Sequence, residues 1–112
     1  MLRDETIRRV LQFRDDRDWR QFHTPKDRAI SMSLEAAELL ELFQWSGADL
    51  ECPDKRDKLR EELADVLSYC ILLADVCGLD LDEIMNEKVT KNEAKYPVEK
   101  ARGSAAKYTE FT

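Results

Sequence analysis

The sequence predicts an all-α protein, folded as a single four-helix bundle domain over residues 1–112. Apolar residues recur at steps of three and four along four separate segments, which is the period of an amphipathic helix. Glycine and proline are scarce, with three of each, and they lie where such segments end. A chain of 112 residues buries only a modest core, so association with further copies would help to stabilise it.

The first two helices are predicted from the residues at their ends. The first runs over about residues 4–18 and carries a narrow apolar seam. Thr24 is a suitable N-cap for the second helix, since Pro25 fits the first turn and Asp27 brings a negative charge to the positive end of the helix. This second helix is expected to end before Gly47, and a loop follows it.

The third helix is predicted to open at Asp54 and to run to about Cys77, with Gly78 as its stop. Residues 66–76 are apolar almost all round this helix, so they need neighbours on several sides. Three companion helices in one small chain do not easily supply those neighbours. The sequence therefore predicts a homo-oligomer.

The fourth helix is predicted to start at Asp80, which opens an acidic first turn, and Pro97 closes it near Tyr96. The tail, residues 98–112, is too short and varied for another element and is expected to be irregular. It is either disordered or ordered by packing on a partner subunit or a substrate.

The acidic charge balance limits the partners of this chain. Its formal net charge is −6 and its pI is about 4.9, which argues against binding to nucleic acid or to an anionic membrane. No apolar run approaches the roughly 20 residues that span a bilayer, and the N-terminus lacks the apolar stretch of a signal peptide. The sequence therefore predicts a soluble, cytoplasmic protein.

The three cysteines are predicted to stay reduced. Cys70 and Cys77 would lie about 10 Å apart along one helix, which is too far for a disulfide, and Cys52 is left without a partner. His23 is the only histidine, so a zinc site of cysteine and histidine is not expected. We interpret His23 as a hydrogen-bonding residue of a loop.

Two acidic pairs of identical spacing lie inside apolar helical segments, Glu35 with Glu38 and Glu62 with Asp65. Residues three apart share a helix face, so each pair can direct two carboxylates to one point. Four carboxylates inside a bundle would repel one another unless cations compensate them, and Mg²⁺ prefers such oxygen ligands. An acidic pair in a chain with 38% charged residues is usually a solvated surface, but these acids lie on stripes that continue as core. The pattern therefore indicates a magnesium site for chemistry on a phosphate ester or anhydride.

Two stretches of the sequence carry a family resemblance. Residues 34–45, LEAAELLELFQW, and residues 61–67, EELADVL, resemble the E-x-x-E and E-x-x-D helices of the MazG-like, all-α nucleoside triphosphate pyrophosphohydrolases. Four further segments resemble the dCTP pyrophosphatase branch of that family, namely WRQFHTP at 19–25, KYP at 95–97, RGS at 102–104 and KYTE at 107–110. The resemblance covers nearly the whole chain.

The resemblance implies hydrolysis of a nucleoside triphosphate between its α- and β-phosphates, which releases the monophosphate and pyrophosphate and serves nucleotide-pool control. It implies that Glu35, Glu38, Glu62 and Asp65 bind magnesium, and that one of these acids also orients the attacking water. It also implies assembly as a homotetramer, built as a pair of dimers.

The resemblance further implies a set of substrate-binding residues: Trp19, Trp45, Tyr69, Lys88, Asn92 and Tyr96. The two tryptophans would form the walls of a base slot, although Trp45 suits a place in the core equally well. The tyrosine of the third helix would meet the deoxyribose, and the residues of the fourth helix would face the triphosphate and sugar. This arrangement favours dCTP or a related pyrimidine deoxynucleotide.

Two alternatives compete with this interpretation. A carboxylate-bridged di-iron bundle also gathers acids between helices, but it needs Glu-x-x-His pairs, and the residue three before His23 is Arg20. The other alternative is a non-catalytic helical oligomerisation module, in which the acids are solvated and the apolar third helix is an assembly interface. A specific response of thermal stability to magnesium would separate the enzyme from this module.

Overall fold

The computed structural model describes residues 2–44 and 55–110, and it contains helices and turns but no β-strand within those ranges. The all-α class is therefore confirmed, with four long helices. The elements in chain order are α1 Asp4–Asp16, a 3-10 turn Arg20–Phe22, α2 Pro25–Glu41, α3 Arg56–Val76, α4 Leu81–Lys95, α5 Val98–Ala101 and a 3-10 turn Tyr108–Glu110.

Helices α2 and α4 start where their capping residues predict. The Thr24 hydroxyl accepts a hydrogen bond from the backbone N–H of Asp27 at 3.1 Å, and Pro25 occupies the first turn of α2. At α4 the Asp80 carboxylate accepts a hydrogen bond from the backbone N–H of Glu83 at 3.0 Å. Gly78 follows α3 with a φ of 66°, the left-handed conformation that ends a helix.

Two features differ from the sequence-based prediction. Helix α1 ends at Asp16 rather than Asp18, because Asp18 takes a φ of 53° and turns the chain out of the helix. The expected irregular tail contains one turn of α-helix, α5, directly after Pro97, which fits the N-terminal end of a helix. Helix α2 ends at Glu41, before Gly47 as predicted, and residues 42–44 form a turn.

The chain folds as two compact units, Met1–Gly78 and Leu79–Thr112. In the first unit, α3 packs along α2 and also against α1. Ile71 and Ala74, both on α3, are the buried hydrophobic residues of this packing. The single domain expected from the chain length stays a prediction, and α4 and α5 form the helical part of the second unit.

A buried ion pair links α1 to the C-terminal half of α3. The Arg14 side chain is only 4% exposed, and its Nη1 donates to Oδ2 of Asp75 at 2.6 Å while its Nε donates to Oδ1 of Asp15 at 2.9 Å. Arg20 brings a second guanidinium to the same Asp75 oxygen, with Nε at 3.8 Å. This pairing holds the end of α1 and the turn that follows it, and so it fixes the chain around Trp19.

Several large apolar side chains of α2 and α3 remain exposed in the single chain: Ile30, Leu34, Leu63 and Leu67. They fall at steps of four on each helix, so each pair shares one helix face. Apolar faces of this kind are what the predicted oligomer would cover, and the oligomeric state stays a prediction. Among the described residues, no helix has the length and apolar character needed to cross a bilayer.

Candidate metal centre and adjoining cavity

Three of the four predicted acids converge between α2 and α3. Glu35 comes from α2, and Glu62 and Asp65 come from one face of α3; one carboxylate oxygen from each lies within 4.8 Å of the others. Two oxygens on opposite sides of one Mg²⁺ lie about 4.2 Å apart, so this spacing is close to that of a metal-ligand set. The i, i+3 spacing places Glu62 and Asp65 side by side, and the packing of α2 on α3 brings Glu35 to them.

Two oxygens of this cluster are buried without a hydrogen-bond partner among the described residues, Oε2 of Glu35 and Oε2 of Glu62. Burial raises the pKa of Glu62, and the neighbouring carboxylates of Glu38 and Asp65 raise it further, against a smaller opposing effect of Lys58. A cation at the cluster would satisfy both buried oxygens and remove the repulsion that raises this pKa. The donor set consists of carboxylates, which suits a hard cation such as Mg²⁺.

Glu38, the fourth predicted ligand, lies one turn beyond Glu35 on α2 and is exposed. It is not part of the three-oxygen group, but it adjoins Glu62, because the Glu38 carboxylate contributes to the raised pKa of Glu62. Glu38 therefore extends the cluster on its solvent side.

A cavity of about 620 Å³ opens beside the acid cluster, between α1, the turn after it, α2 and α3. Asp65 lines this cavity and so connects the cluster to it. Its lining includes three aromatic rings, two positive or titratable groups and the acid: Phe13, Trp19, Tyr69, His23, Arg28 and Asp65. A mainly apolar cavity with a few polar groups is the usual form of a small-molecule site.

The aromatic side chains are held in place by their neighbours. The rings of Phe13 and Trp19 pack edge to face with centroids 5.8 Å apart and an interplanar angle of 76°. The guanidinium of Arg17 lies 3.7 Å from the centroid of the Phe13 ring. Trp19 and Tyr69, both predicted to bind substrate, line the same cavity as Asp65.

Sequence reasoning missed Arg28 as a cavity residue. Its guanidinium lies 5.4 Å from the centroid of the Tyr69 ring, and its buried Nε has no hydrogen-bond partner among the residues that the structure describes. Arg28 stands seven residues before Glu35, two helical turns along the same face of α2, and this spacing was the signal available in the sequence.

His23 also lines the cavity, whereas the sequence suggested a loop hydrogen-bonder. Its Nδ1 is buried and without a partner in the described ranges. Burial lowers the pKa of His23, and the positive charges of Arg28 and Arg14 lower it further. The ring is therefore neutral at neutral pH.

Residues 30–111 match the family model described as the MazG-like family. The chain belongs to the MazG-like family. It is 43% identical to dCTP pyrophosphatase 1 of Mus musculus over 96% of this chain, and 42% identical to the Homo sapiens protein of the same name over the same share. The chain spans 66% of the length of each of these two relatives.

The crystal structure of a pyrophosphatase from Archaeoglobus fulgidus DSM 4304 has a similar fold and sequence. It superposes with a TM-score of 0.79 at 42% identity, covering 84% of this chain and 91% of that one. These matches confirm the family resemblance and the fold class predicted from the sequence.

Four predicted substrate residues of this MazG-like chain belong to the second unit or lie outside the described ranges. Lys88 and Asn92 are four residues apart on α4 of the second unit and so share a helix face. Tyr96 follows at the C-terminal end of α4, where its backbone N–H donates to the Asn92 carbonyl at 2.8 Å. Trp45 lies outside the described residues. Their roles in substrate binding stay predictions.

Proposed function

We propose that this chain is a magnesium-dependent, cytoplasmic nucleoside triphosphate pyrophosphohydrolase that prefers dCTP or a related pyrimidine deoxynucleotide and serves nucleotide-pool control. The observation that carries the proposal is the convergence of Glu35, Glu62 and Asp65 at the border of an aromatic cavity. The similarity to dCTP pyrophosphatases and to an archaeal pyrophosphatase supports the same reaction.

In this proposal the acid cluster holds the metal, with Glu35, Glu62 and Asp65 as the central ligands and Glu38 as the fourth. A Mg²⁺ ion held by these carboxylates would neutralise phosphate charge and help to activate water. The protein side chains position the triphosphate and orient water, which adds across the bond between the α- and β-phosphates and leaves monophosphate and pyrophosphate.

The cavity is the proposed place of the nucleoside. Trp19 would stack on the base, since base–aromatic stacking contributes about 1–3 kcal/mol per base, and Tyr69 would lie against the deoxyribose. Trp45 is the proposed second wall of the slot. Lys88 and Asn92 would contact the phosphates, and Tyr96 would complete the same face.

We also propose a homotetramer formed from two dimers. The exposed Ile30 and Leu34 on α2, with Leu63 and Leu67 on α3, support an interface that covers these helices. Sedimentation of the purified chain at micromolar concentration tests this, because a stable monomer would contradict it.

One experiment tests the proposed reaction directly. The protein is incubated with each common ribo- and deoxyribonucleoside triphosphate and Mg²⁺, and the products are separated by ion-exchange chromatography. We expect monophosphate and pyrophosphate, fastest from dCTP. A non-catalytic oligomerisation module, the alternative function, would give no product with any nucleotide and no stabilisation specific to Mg²⁺.

A further inference from the structure

Arg28 combines three properties that a structural arginine does not need. Its side chain lines the cavity, its guanidinium lies over the Tyr69 ring, and its Nε is buried with no partner in the described part of the chain. A buried donor without a hydrogen bond is unfavourable, so this arrangement suits a site where a ligand supplies the acceptor. Arg14, by comparison, satisfies its guanidinium within the protein.

We propose that Arg28 reads the base of the nucleotide, by donating two parallel hydrogen bonds to a base edge that presents two adjacent acceptors. The O2 and N3 atoms of cytosine form such an edge, as do the O6 and N7 atoms of guanine. Uracil and thymine carry a hydrogen on N3, and in adenine the amino group, itself a donor, lies between N1 and N7, so no edge of these bases presents two adjacent acceptors to two donors. This inference rests on the proposed function, because it assigns one residue of the same nucleotide site.

The position of Arg28 along α2 places it at the base end of the cavity. Glu35 stands seven residues later, so the two side chains leave the helix about 10 Å apart along its axis. On α3, Tyr69 likewise lies one turn beyond Asp65. A nucleoside monophosphate separates its phosphate from its base edge by a comparable length. With the phosphates at the acid cluster, the base therefore reaches the level of Arg28 and Tyr69.

The surroundings of Arg28 favour a neutral acceptor over a phosphate. Three aromatic rings line the cavity, and the nearby His23 is neutral because burial and the charges of Arg28 and Arg14 lower its pKa. Arg9, on α1, also lines the cavity but is exposed, so it is available to a charged group at the mouth. The guanidinium carbon of Arg28 lies 5.4 Å from the centroid of the Tyr69 ring, and a guanidinium carries paired donors in one plane, which suits the edge of a planar base.

The test measures binding of four nucleotides, dCMP, dGMP, dUMP and dAMP, by isothermal titration calorimetry. The proteins compared are the full wild-type chain and its variants Arg28→Met and Arg28→Lys. We expect the wild type to prefer dCMP over dUMP on the order of tenfold, and both variants to lose this preference, because a lysine keeps the charge but not the paired donors. Lys26→Gln is the control, since it removes an exposed positive charge from the same turn of α2, outside the cavity.

The outcomes separate the possible roles. If dCMP alone is preferred, the edge read is that of cytosine; if dGMP is preferred equally, the same donor pair also reads guanine. The proposal is overturned if the wild type binds dCMP and dUMP with equal affinity, or binds neither. It is also overturned if Arg28→Met loses affinity equally for all four nucleotides while Arg28→Lys keeps it, because that pattern indicates a phosphate contact.

Two further measurements keep the result interpretable. Circular dichroism melting of each variant identifies a fold that is lost, and Arg28→Lys provides the answer if Arg28→Met does not fold. Competition between dCTP and dUTP in the hydrolysis assay gives the same preference under turnover. A wild type that prefers dCMP but hydrolyses no triphosphate would overturn the proposed reaction and leave the role of Arg28 intact.

Discussion

Helix α3 carries acidic residues at two places, and their surroundings differ. Near the C-terminal end, Asp75 meets the buried Arg14 at 2.6 Å and a second guanidinium, that of Arg20, at 3.8 Å. In the N-terminal half, Glu62 and Asp65 face other carboxylates, and a buried oxygen of Glu62 has no partner within the described ranges. The first acid is satisfied by the protein itself, whereas the second group requires something from outside.

This difference separates structural charges from binding charges. A buried charge that is paired and hydrogen-bonded costs stability when its partner is removed. Like charges held together without a cation repel one another, so removing one of them reduces the repulsion and stabilises the ligand-free protein. The two places on α3 should therefore respond in opposite ways to the same kind of substitution.

The largest effect is expected from Glu62→Gln, which keeps the shape of the side chain and removes its charge. Turnover with Mg²⁺ and dCTP should fall about a hundredfold or more, because the acid cluster loses a central ligand. The unfolding free energy of the metal-free protein should stay the same or rise, since the repulsion with Glu38 and Asp65 is reduced. Steady-state kinetics and urea unfolding measure the two effects.

The neighbouring Glu61→Gln is the control for this prediction. Glu61 is exposed on α3, and its substitution removes the same charge one position away, so activity should stay near that of the wild type. Full activity of Glu62→Gln would contradict its role as a metal ligand. A clear loss of stability would instead place Glu62 among the structural charges.

The next largest effect is expected from Asp75→Asn, which leaves the buried Arg14 without its closest anion. The unfolding free energy should fall by about 1–3 kcal/mol, the low end for a buried pair, because Asp75 is 31% exposed and Asp15 still pairs with Arg14. Urea unfolding followed by circular dichroism measures it. Glu87→Gln, which neutralises an exposed acid on α4, should leave stability nearly unchanged, and an equal loss there would show a general charge effect.

Magnesium itself should distinguish the two places. At a concentration ten times its dissociation constant, Mg²⁺ should stabilise the wild type by about 1.4 kcal/mol, because it binds the folded state. Asp75→Asn should show the same increment from a lower starting point, and Glu62→Gln should show a smaller one. Thermal melting with and without Mg²⁺, at constant ionic strength, measures these increments. An unchanged increment in Glu62→Gln would place the cation elsewhere.

The sequence predicted one of these two places and not the other. The acid cluster follows from i, i+3 spacing, which is local, so Glu62 and Asp65 are identifiable from the order of residues alone. Arg14 and Asp75 are 61 residues apart, and only the packing of α1 on α3 brings them together. The partner of a buried charge is set by tertiary contacts that no local pattern records.

The same limit applies to the fold and to the cavity. Caps such as Thr24 and Asp80 predicted where helices begin, because a cap acts through hydrogen bonds within its own turn. The early end of α1 was missed, since Asp18 takes a left-handed conformation that its residue type does not require. Arg28 was missed because its importance depends on an aromatic ring, Tyr69, from another helix.

The smallest effect concerns His23, where positive rather than negative charges gather. Burial lowers the pKa of His23 from its ordinary value of 6.5, and the charges of Arg28 and Arg14 lower it further. The unfolded chain therefore binds a proton at His23 more readily than the folded chain does, so the wild type should lose stability as the pH falls from about 7.5 through the ordinary pKa to the lowered one. The variant His23→Asn lacks this titrating group, so its unfolding free energy should change less with pH over the same range.

Since His23 is the only histidine, the difference between the two plots of unfolding free energy against pH isolates its contribution. If the unfolding free energies of the wild type and of His23→Asn changed with pH in parallel, His23 would take up a proton in the folded chain as readily as in the unfolded chain. Burial and the charges of Arg28 and Arg14 would then not lower its pKa, which contradicts the prediction.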